Sequence, residues 1–200
     1  MKTGVLGGTF NPPHNGPMLA AEHVRQALGL DRVLFIPTNL PPHKRLPDGS
    51  ATTEQRCDMV RLMVAPYDWA VFSDIEVRRG GASYTVDTLR ALHQKGYEDL
   101  TLIVGTDMLM SFDRCWRAPE EIVRLADLAV VARDTHDRPV LRRKAILLEK
   151  KMHAHISLID CPVLTISSTE VRRRGIFEEM TPPPVAAYIR KNRLYQKGSE

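Results

Sequence analysis

The sequence predicts an α/β fold, with a doubly wound parallel sheet, flanking helices and a helical C-terminus. Three observations favour this class. Short apolar segments alternate along the chain with segments of helical pattern, as in repeated strand–helix units. Glycine or proline closes most segments. The polar, motif-like stretches follow predicted strands, which is where sheets of this class bind ligands.

Six apolar runs are predicted as strands: 3–6, 32–37, 69–73, 100–104, 128–132 and 156–159. Seven segments are predicted as helices: 18–28, 52 or 53 to 64, 85–95, a helix opened by Pro119, 141–152, 168–174 and 184–192. Gly29 and Gly96 stand where a helix C-terminus favours glycine, and Thr52 or Thr53 can cap the second helix.

Length and composition limit the number of domains and the classes of protein to which the chain can belong. A chain of 200 residues and 22.6 kDa fits one domain, predicted over 1–197, with 198–200 as a flexible tail. No apolar run reaches membrane-spanning length, no signal-peptide pattern opens the chain, and three scattered cysteines suit a reduced protein. We therefore expect a cytoplasmic protein without a membrane partner.

The chain carries a net charge of +4. Its basic residues are spread along the sequence, and no nucleic-acid-binding module is recognisable. We therefore expect a solvated basic surface and no nucleic-acid partner. The sequence leaves the oligomeric state open, a homo-oligomer included.

The most informative segment is 7–17, GGTFNPPHNGP, between the first strand and the first helix. Small residues there expose backbone N–H groups at the positive end of the helix, which favours an anion such as phosphate. His14 adds a side-chain donor. The spacing matches neither G-x-G-x-x-G nor the P-loop pattern.

Segment 7–17 resembles the signature of the nucleotidyltransferase superfamily of α/β phosphodiesterases, G-G-T-F-D-P-P-H-x-G-H, and 166–172 resembles its I-S-S-T-x-x-R motif. Segments 41–44, 79–89 and 105–107 resemble bacterial nicotinate mononucleotide adenylyltransferase. The resemblance implies a Rossmann-like fold and transfer of AMP from ATP to nicotinate mononucleotide, with release of pyrophosphate. It also implies Mg²⁺ as cofactor, with ATP as co-substrate.

The resemblance also implies the site residues. Predicted as catalytic are His14, Lys44 and Arg172, which would stabilise charge on the phosphates. Predicted to bind ATP are Gly7, Gly8, Thr9, Phe10, His14, Gly105, Asp107, Arg133, Ile166, Ser167, Ser168 and Thr169. Predicted to bind the mononucleotide are Asn11, Lys44, Tyr84, Thr85 and Trp116. No residues are predicted to ligate a metal.

The residues alone leave a structural role open for several of these positions. His14 suits a helix cap, Ser168 and Thr169 suit caps of the helix 168–174, and Asp107 suits a cap of the helix that follows it. Trp116 suits a core aromatic.

Pro17 departs from the family pattern, which has histidine at that position. Proline is acceptable in the first turn of a helix, but it removes a side-chain donor from a site that holds phosphates. A slow enzyme, compensation by Lys44 or Arg172, and an altered sequence are all compatible with it. Two alternative functions also stay open: a catalytically impaired nucleotide-binding homologue, and an adenylyl- or cytidylyltransferase for another phosphorylated substrate, which the Tyr84–Thr85 segment disfavours.

Overall fold

A computed structural model describes residues 1–43, 45–132, 138–161 and 166–196. Within these ranges six strands form one sheet: β1 (Thr3–Gly8), β2 (Arg32–Pro37), β3 (Ala70–Phe72), β4 (Leu100–Gly105), β5 (Asp127–Ala132) and β6 (Ile156–Asp160). Their order is β3-β2-β1-β4-β5-β6, and every neighbouring pair is parallel. The predicted fold class is confirmed. The order reverses between β1 and β4, and their carboxyl ends open a crevice there.

The same ranges hold ten helices: α1 (Asn15–Leu28), α2 (Thr53–Val64), α3 (Ile75–Arg79), α4 (Thr85–Gln94), α5 (Thr106–Cys115), α6 (Pro119–Leu125), α7 (Arg138–Met152), α8 (Ser168–Arg174), α9 (Phe177–Met180) and α10 (Pro183–Lys191). Helices α3, α5 and α9 were not predicted. The first and last of these are too short to show a helical period. Helix α5 begins at Thr106, immediately after β4.

Both faces of the sheet are buried, as an all-parallel sheet requires. One face carries Val5, Leu34 and Leu102 and packs against apolar side chains of α4 to α7. The other face carries Phe35 and Ile103 and packs against α1, α2 and α10. With both faces covered, the carboxyl ends of the central strands are the place where a ligand can reach the sheet.

The caps of two helices agree with the predictions. The Thr52 hydroxyl accepts from the backbone N–H of Gln55 at 3.2 Å, while the Gln55 side chain accepts from the Thr52 N–H at 2.9 Å, which makes a capping box at the start of α2. Helix α1 ends at Gly29, whose φ of 62° suits glycine. In the described part of the chain, every helix is too short or too polar to span a bilayer.

Candidate active site

His14 joins β1 to α1 and has a structural role and a chemical one. It is the N-cap of α1, and its Nδ1 accepts from the backbone N–H of Gly16 at 3.1 Å. Because Nδ1 accepts this bond, the proton of the neutral ring lies on Nε2. Capping by His14 is therefore observed, and it prepares the other ring nitrogen as a donor.

Pro17 is the third residue of α1 and lines the same crevice as His14. The first four N–H groups of a helix have no intrahelical acceptor, so a proline there costs no helical hydrogen bond. The prediction that Pro17 fits the first turn is confirmed. It presents only ring carbons to the crevice.

The crevice contains a cavity of about 460 Å³, which we call the outer cavity. It brings together segments that are far apart in the chain: the β1–α1 loop, the start of α5, the end of β5 and the start of α8. The predicted ATP-site residues that line it are Gly7, Gly8, Thr9, Phe10, His14, Gly105, Asp107, Ile166, Ser168 and Thr169, together with the predicted catalytic Arg172. Lys44 and Arg133 lie outside the described residues.

Two predicted helix caps are wrong. The N-cap of α8 is Ser167, whose hydroxyl accepts from the Glu170 N–H at 3.1 Å, and not Ser168 or Thr169. The N-cap of α5 is Gly105, and not Asp107. Helix α8 begins at Ser168, as predicted, so its cap is the residue before it, whereas α5 begins at Thr106, so Asp107 falls inside its first turn.

Ser168 and Arg172 instead bind the β1–α1 loop to α8. The Ser168 hydroxyl donates to the carbonyl of Pro12 at 2.9 Å. The Arg172 guanidinium donates from Nη1 to the carbonyl of Asn11 and from Nη2 to the Thr169 hydroxyl at 3.3 Å. Arg172 therefore stands half-buried at the edge of the outer cavity, on the loop that holds His14.

Arg173 and Arg174 differ from Arg172. Both are exposed, and both pair with the Glu170 carboxylate, at 2.8 Å and 2.5 Å. Of these three arginines, Arg172 alone donates to the β1–α1 loop, which agrees with the motif position predicted for it.

Asn11 is 2% exposed, and its side chain holds the loop in place. Its Nδ2 donates to the Ser50 hydroxyl at 2.8 Å, and its Oδ1 accepts from the Ala51 N–H at 3.2 Å and from the Tyr195 hydroxyl at 2.8 Å. Burial raises the pKa of the Tyr195 phenol, so that this hydroxyl stays protonated. The side chain is thus directed at protein groups, and its contact with substrate stays a prediction.

Arg56 was not predicted as a site residue, yet it fixes the floor of the site. It is fully buried on α2. Its Nη1 donates to the carbonyls of Thr9 and Thr38 at 2.8 and 2.7 Å, and its Nη2 donates to the carbonyl of Asn39 at 3.2 Å. The guanidinium therefore joins the loops that follow β1 and β2. Burial lowers its pKa, but an arginine stays charged in proteins.

A sequence signal for Arg56 existed. Arg56 stands on the apolar face of α2. The buried residues Met59, Val60 and Met63 follow it by three, four and seven positions, which is the spacing of one helix face. An arginine on such a face must find several hydrogen-bond acceptors, because an unpaired buried charge is very costly.

A second cavity of about 310 Å³, the inner cavity, lies on the other side of the β1 end. It shares Gly7, Gly8 and Thr9 with the outer cavity, and it is also lined by the predicted substrate residues Thr85 and Trp116. Trp116 packs against the core with its ring centroid 5.2 Å from that of Phe112. It is therefore a core aromatic and a cavity wall at once.

Tyr84 is the N-cap residue of α4 and makes no side-chain capping bond. Its ring packs at 4.7 Å under the Arg117 guanidinium and contacts the His43 ring edge-on. Tyr84 does not line the inner cavity among the described residues, so its predicted role depends on its backbone at the start of α4.

Glu76 is the second site residue that the sequence reasoning missed. It lines the inner cavity and is 6% exposed. The Thr88 hydroxyl donates to its Oε1 at 2.7 Å, whereas its Oε2 is buried and has no hydrogen-bond partner in the described part of the chain. Burial raises the pKa of this carboxyl, and the Thr88 and Ser83 hydroxyls and Arg79 oppose that shift. The residue stands on the short helix α3, which had no recognisable sequence signal.

The fold and this pair of cavities define a doubly wound α/β protein with two adjoining ligand-sized cavities at the end of β1. The family model that matches residues 5–174 is described as cytidylyltransferase-like. The chain is 37% identical over 204 residues to a probable nicotinate-nucleotide adenylyltransferase of Symbiobacterium thermophilum, covering 98% of this chain and 96% of that one. It is 41% identical over 199 residues to a protein of the same description from a Roseiflexus species, covering 96% and 97%.

The chain therefore belongs to the cytidylyltransferase-like family, and within it to the nicotinate-nucleotide adenylyltransferases. A solved structure of Plasmodium falciparum nicotinic acid mononucleotide adenylyltransferase complexed with NaAD has a TM-score of 0.75 to this chain, at 16% identity and with 98% of both chains covered. At that identity the likeness shows a shared fold.

Proposed function

We infer that the protein transfers AMP from ATP to nicotinate mononucleotide and forms nicotinic acid adenine dinucleotide and pyrophosphate. The observation that carries this inference is the pair of cavities that share the Gly7–Thr9 end of β1. The outer one suits a nucleotide with several phosphates, because a helix N-terminus, His14 and Arg172 surround it. The inner one suits a flat ring beside Trp116. The whole-chain relatives carry the same activity in their descriptions.

The reaction needs positioning and charge stabilisation more than covalent chemistry. An oxygen of the mononucleotide phosphate attacks the α-phosphorus of ATP and forms the new P–O bond. The bond from that phosphorus to the oxygen bridging to the β-phosphate breaks, and its electron pair leaves with pyrophosphate. His14, through Nε2–H, and Arg172, through its guanidinium, are proposed to donate to the phosphoryl oxygens, with Lys44 as a third cation.

Magnesium would accompany the phosphates of ATP. No group of three or more His, Cys, Asp or Glu side chains that could hold a metal lies within residues 1–43, 45–132, 138–161 and 166–196. Asp107 is the one carboxylate residue that lines the outer cavity in those ranges. We propose that Mg²⁺ enters the outer cavity as part of the MgATP substrate.

Pro17 is the observation that favours a second candidate, a nucleotide-binding homologue with impaired catalysis. It lines the outer cavity without offering a donor. The descriptions of the relatives do not favour this candidate.

A turnover assay separates the two functions. The purified protein is incubated with MgATP and nicotinate mononucleotide, and pyrophosphate and the dinucleotide are measured. We expect both products to form in equal amounts. Absence of product at high enzyme concentration, together with measurable ATP binding, would leave the binding-protein function.

The surface charges bear on whether the protein binds nucleic acid. Several described arginines at the surface pair with carboxylates, among them Arg90 with Asp87 and Glu121 and Arg138 with Asp160. This arrangement supports a solvated basic surface, and we propose that the protein acts in the cytoplasm without binding nucleic acid. A homo-oligomer stays open.

A further inference from the structure

The inner cavity contains a buried carboxyl group that the reaction described above does not use. Glu76 is 6% exposed, and its Oε2 has no partner among the described residues although it is buried in the wall of the cavity. A buried polar atom without a partner carries a free-energy cost of about 1–3 kcal/mol. An atom of this kind in the wall of a substrate cavity is typical of a group whose partner arrives with the ligand.

The start of α4 opens into the same cavity. Thr85, its first residue, lines the cavity, and the N-cap Tyr84 makes no side-chain bond to the first N–H groups of the helix. A ten-residue helix with an uncapped N-terminus attracts a negative group. The inner cavity therefore offers an anion two kinds of contact, backbone N–H groups from α4 and the carboxyl of Glu76.

A carboxyl beside an anion is favoured in its neutral form, since each of two neighbouring carboxylates disfavours the ionised form of the other. The surroundings of Glu76 are consistent with this. The Thr88 hydroxyl of α4, the Ser83 hydroxyl and Arg79 on α3 favour the ionised form, yet burial outweighs them and raises the pKa. Strand β2, on which α3 packs, contributes apolar Ile36 to this cavity.

We propose that Glu76, as a neutral carboxylic acid, donates a hydrogen bond from Oε2 to the carboxylate on the pyridine ring of nicotinate mononucleotide and so selects the acid over the amide. This inference rests on the proposed function, because it assigns the inner cavity to the pyridine ring. An O–H donor to a carboxylate makes a short, charge-assisted bond. The Thr88 hydroxyl holds Oε1 and leaves Oε2 for the ligand.

The test compares nicotinate mononucleotide with nicotinamide mononucleotide, which differ only in the ring substituent. At neutral pH, kcat/KM is measured for both with the wild type, Glu76→Gln and Glu76→Leu. Glutamine keeps an acceptor for Thr88 and a donor for the ligand, so we expect its acid-to-amide ratio to lie within about threefold of the wild-type ratio. Leucine has no donor, so we expect its ratio to fall by about tenfold or more.

Two results would overturn the proposal. If Glu76→Leu lowers kcat/KM equally for both substrates, Glu76 has only a structural role. If Glu76→Gln raises the acid-to-amide ratio tenfold, Glu76 is ionised and opposes the acid. Should the leucine variant not fold, the glutamine variant still decides, because a neutral donor and an ionised residue predict different ratios for it.

Failure of the proposed function is distinguishable from failure of this inference. If the wild type turns over neither mononucleotide, the transferase activity is disproved. The role of Glu76 is then measured by calorimetric titration of each mononucleotide into the same three proteins. Equal changes in Kd for both ligands in Glu76→Leu would reject the selective contact.

Discussion

The outer and inner cavities meet at Gly7–Thr9 but are built in different ways. The outer cavity is lined by the loop after β1, the ends of β4 and β5 and the starts of α1, α5 and α8, with His14 and Arg172 among its side chains. The inner cavity is lined by the ends of β1, β2 and β4 and by residues of α3, α4 and α5, with the buried carboxyl of Glu76 in its wall. The outer cavity therefore draws on the two contiguous motif segments 7–17 and 166–172, whereas the inner cavity depends on residues of separate helices that are distant in sequence.

The largest expected effect concerns the floor that the two cavities share. Arg56→Met leaves the carbonyls of Thr9, Thr38 and Asn39 without their donor, so we expect the free energy of unfolding to fall by about 3 kcal/mol or more. Urea denaturation measures it. Arg78→Met is the control, because that arginine is exposed and pairs only with Asp74, and it should cost less than about 1 kcal/mol. Equal losses of unfolding free energy in the two variants would contradict the conclusion that Arg56 stabilises the loops after β1 and β2 through its hydrogen bonds.

The second effect is confined to the outer cavity. His14→Ala should lower kcat by about 100- to 1,000-fold, the usual cost of one lost donor to the transition state. His14→Asn is the matched control, because asparagine also caps helices well. We expect it to restore most of the stability lost in the alanine variant but not the activity. Recovery of kcat in the asparagine variant would show that the cap of α1 and an amide donor are sufficient and that the imidazole is not required.

The third effect tests the departure at Pro17. Pro17→His adds a donor to the outer cavity, and we expect kcat to rise by up to about 100-fold with a smaller change in KM. Pro17→Ala restores the backbone N–H without adding a side-chain donor, so it is the control for the imidazole and should raise kcat less than the histidine variant. An unchanged or lower kcat in the histidine variant would mean that other cations already compensate for the missing donor. The outer cavity would then depend less on a donor at position 17 than the family pattern suggests.

The smallest effect concerns the C-terminal anchor of the loop. Tyr195→Phe removes one donor to Asn11 Oδ1, which still accepts from the Ala51 N–H, so we expect a loss of about 1 kcal/mol in stability and a modest rise in the KM for ATP. Tyr188→Phe removes a similar bond, to Asp58, away from the loop. It should change stability alone. A rise in KM in both variants would point to a general loosening of α10.

Much of the nucleotide side could be predicted from the sequence, because its parts are contiguous. The segments 7–17 and 166–172 indicated the loop and the helix that line the outer cavity, and His14 and Arg172 lie there. The caps were less predictable. Ser167, and not Ser168, caps α8, and Gly105, which makes no side-chain bond, stands at the N-cap position of α5 in place of Asp107, because one or two residues at the helix start decide which side chain can reach the free N–H groups.

By itself, the sequence determined the α/β class, the order of most strands and helices, and the turn between β1 and α1 that lines the outer cavity, since each depends on local pattern and on glycine and proline at fixed positions. Only the tertiary structure decided what Arg56 and Glu76 do. Arginine at position 56 acquires its role from three carbonyls on two different loops, and glutamate at position 76 from burial beside α4. A buried charge or acid is defined by the partners that the fold brings to it, and those partners are 12 to 47 residues away in the chain.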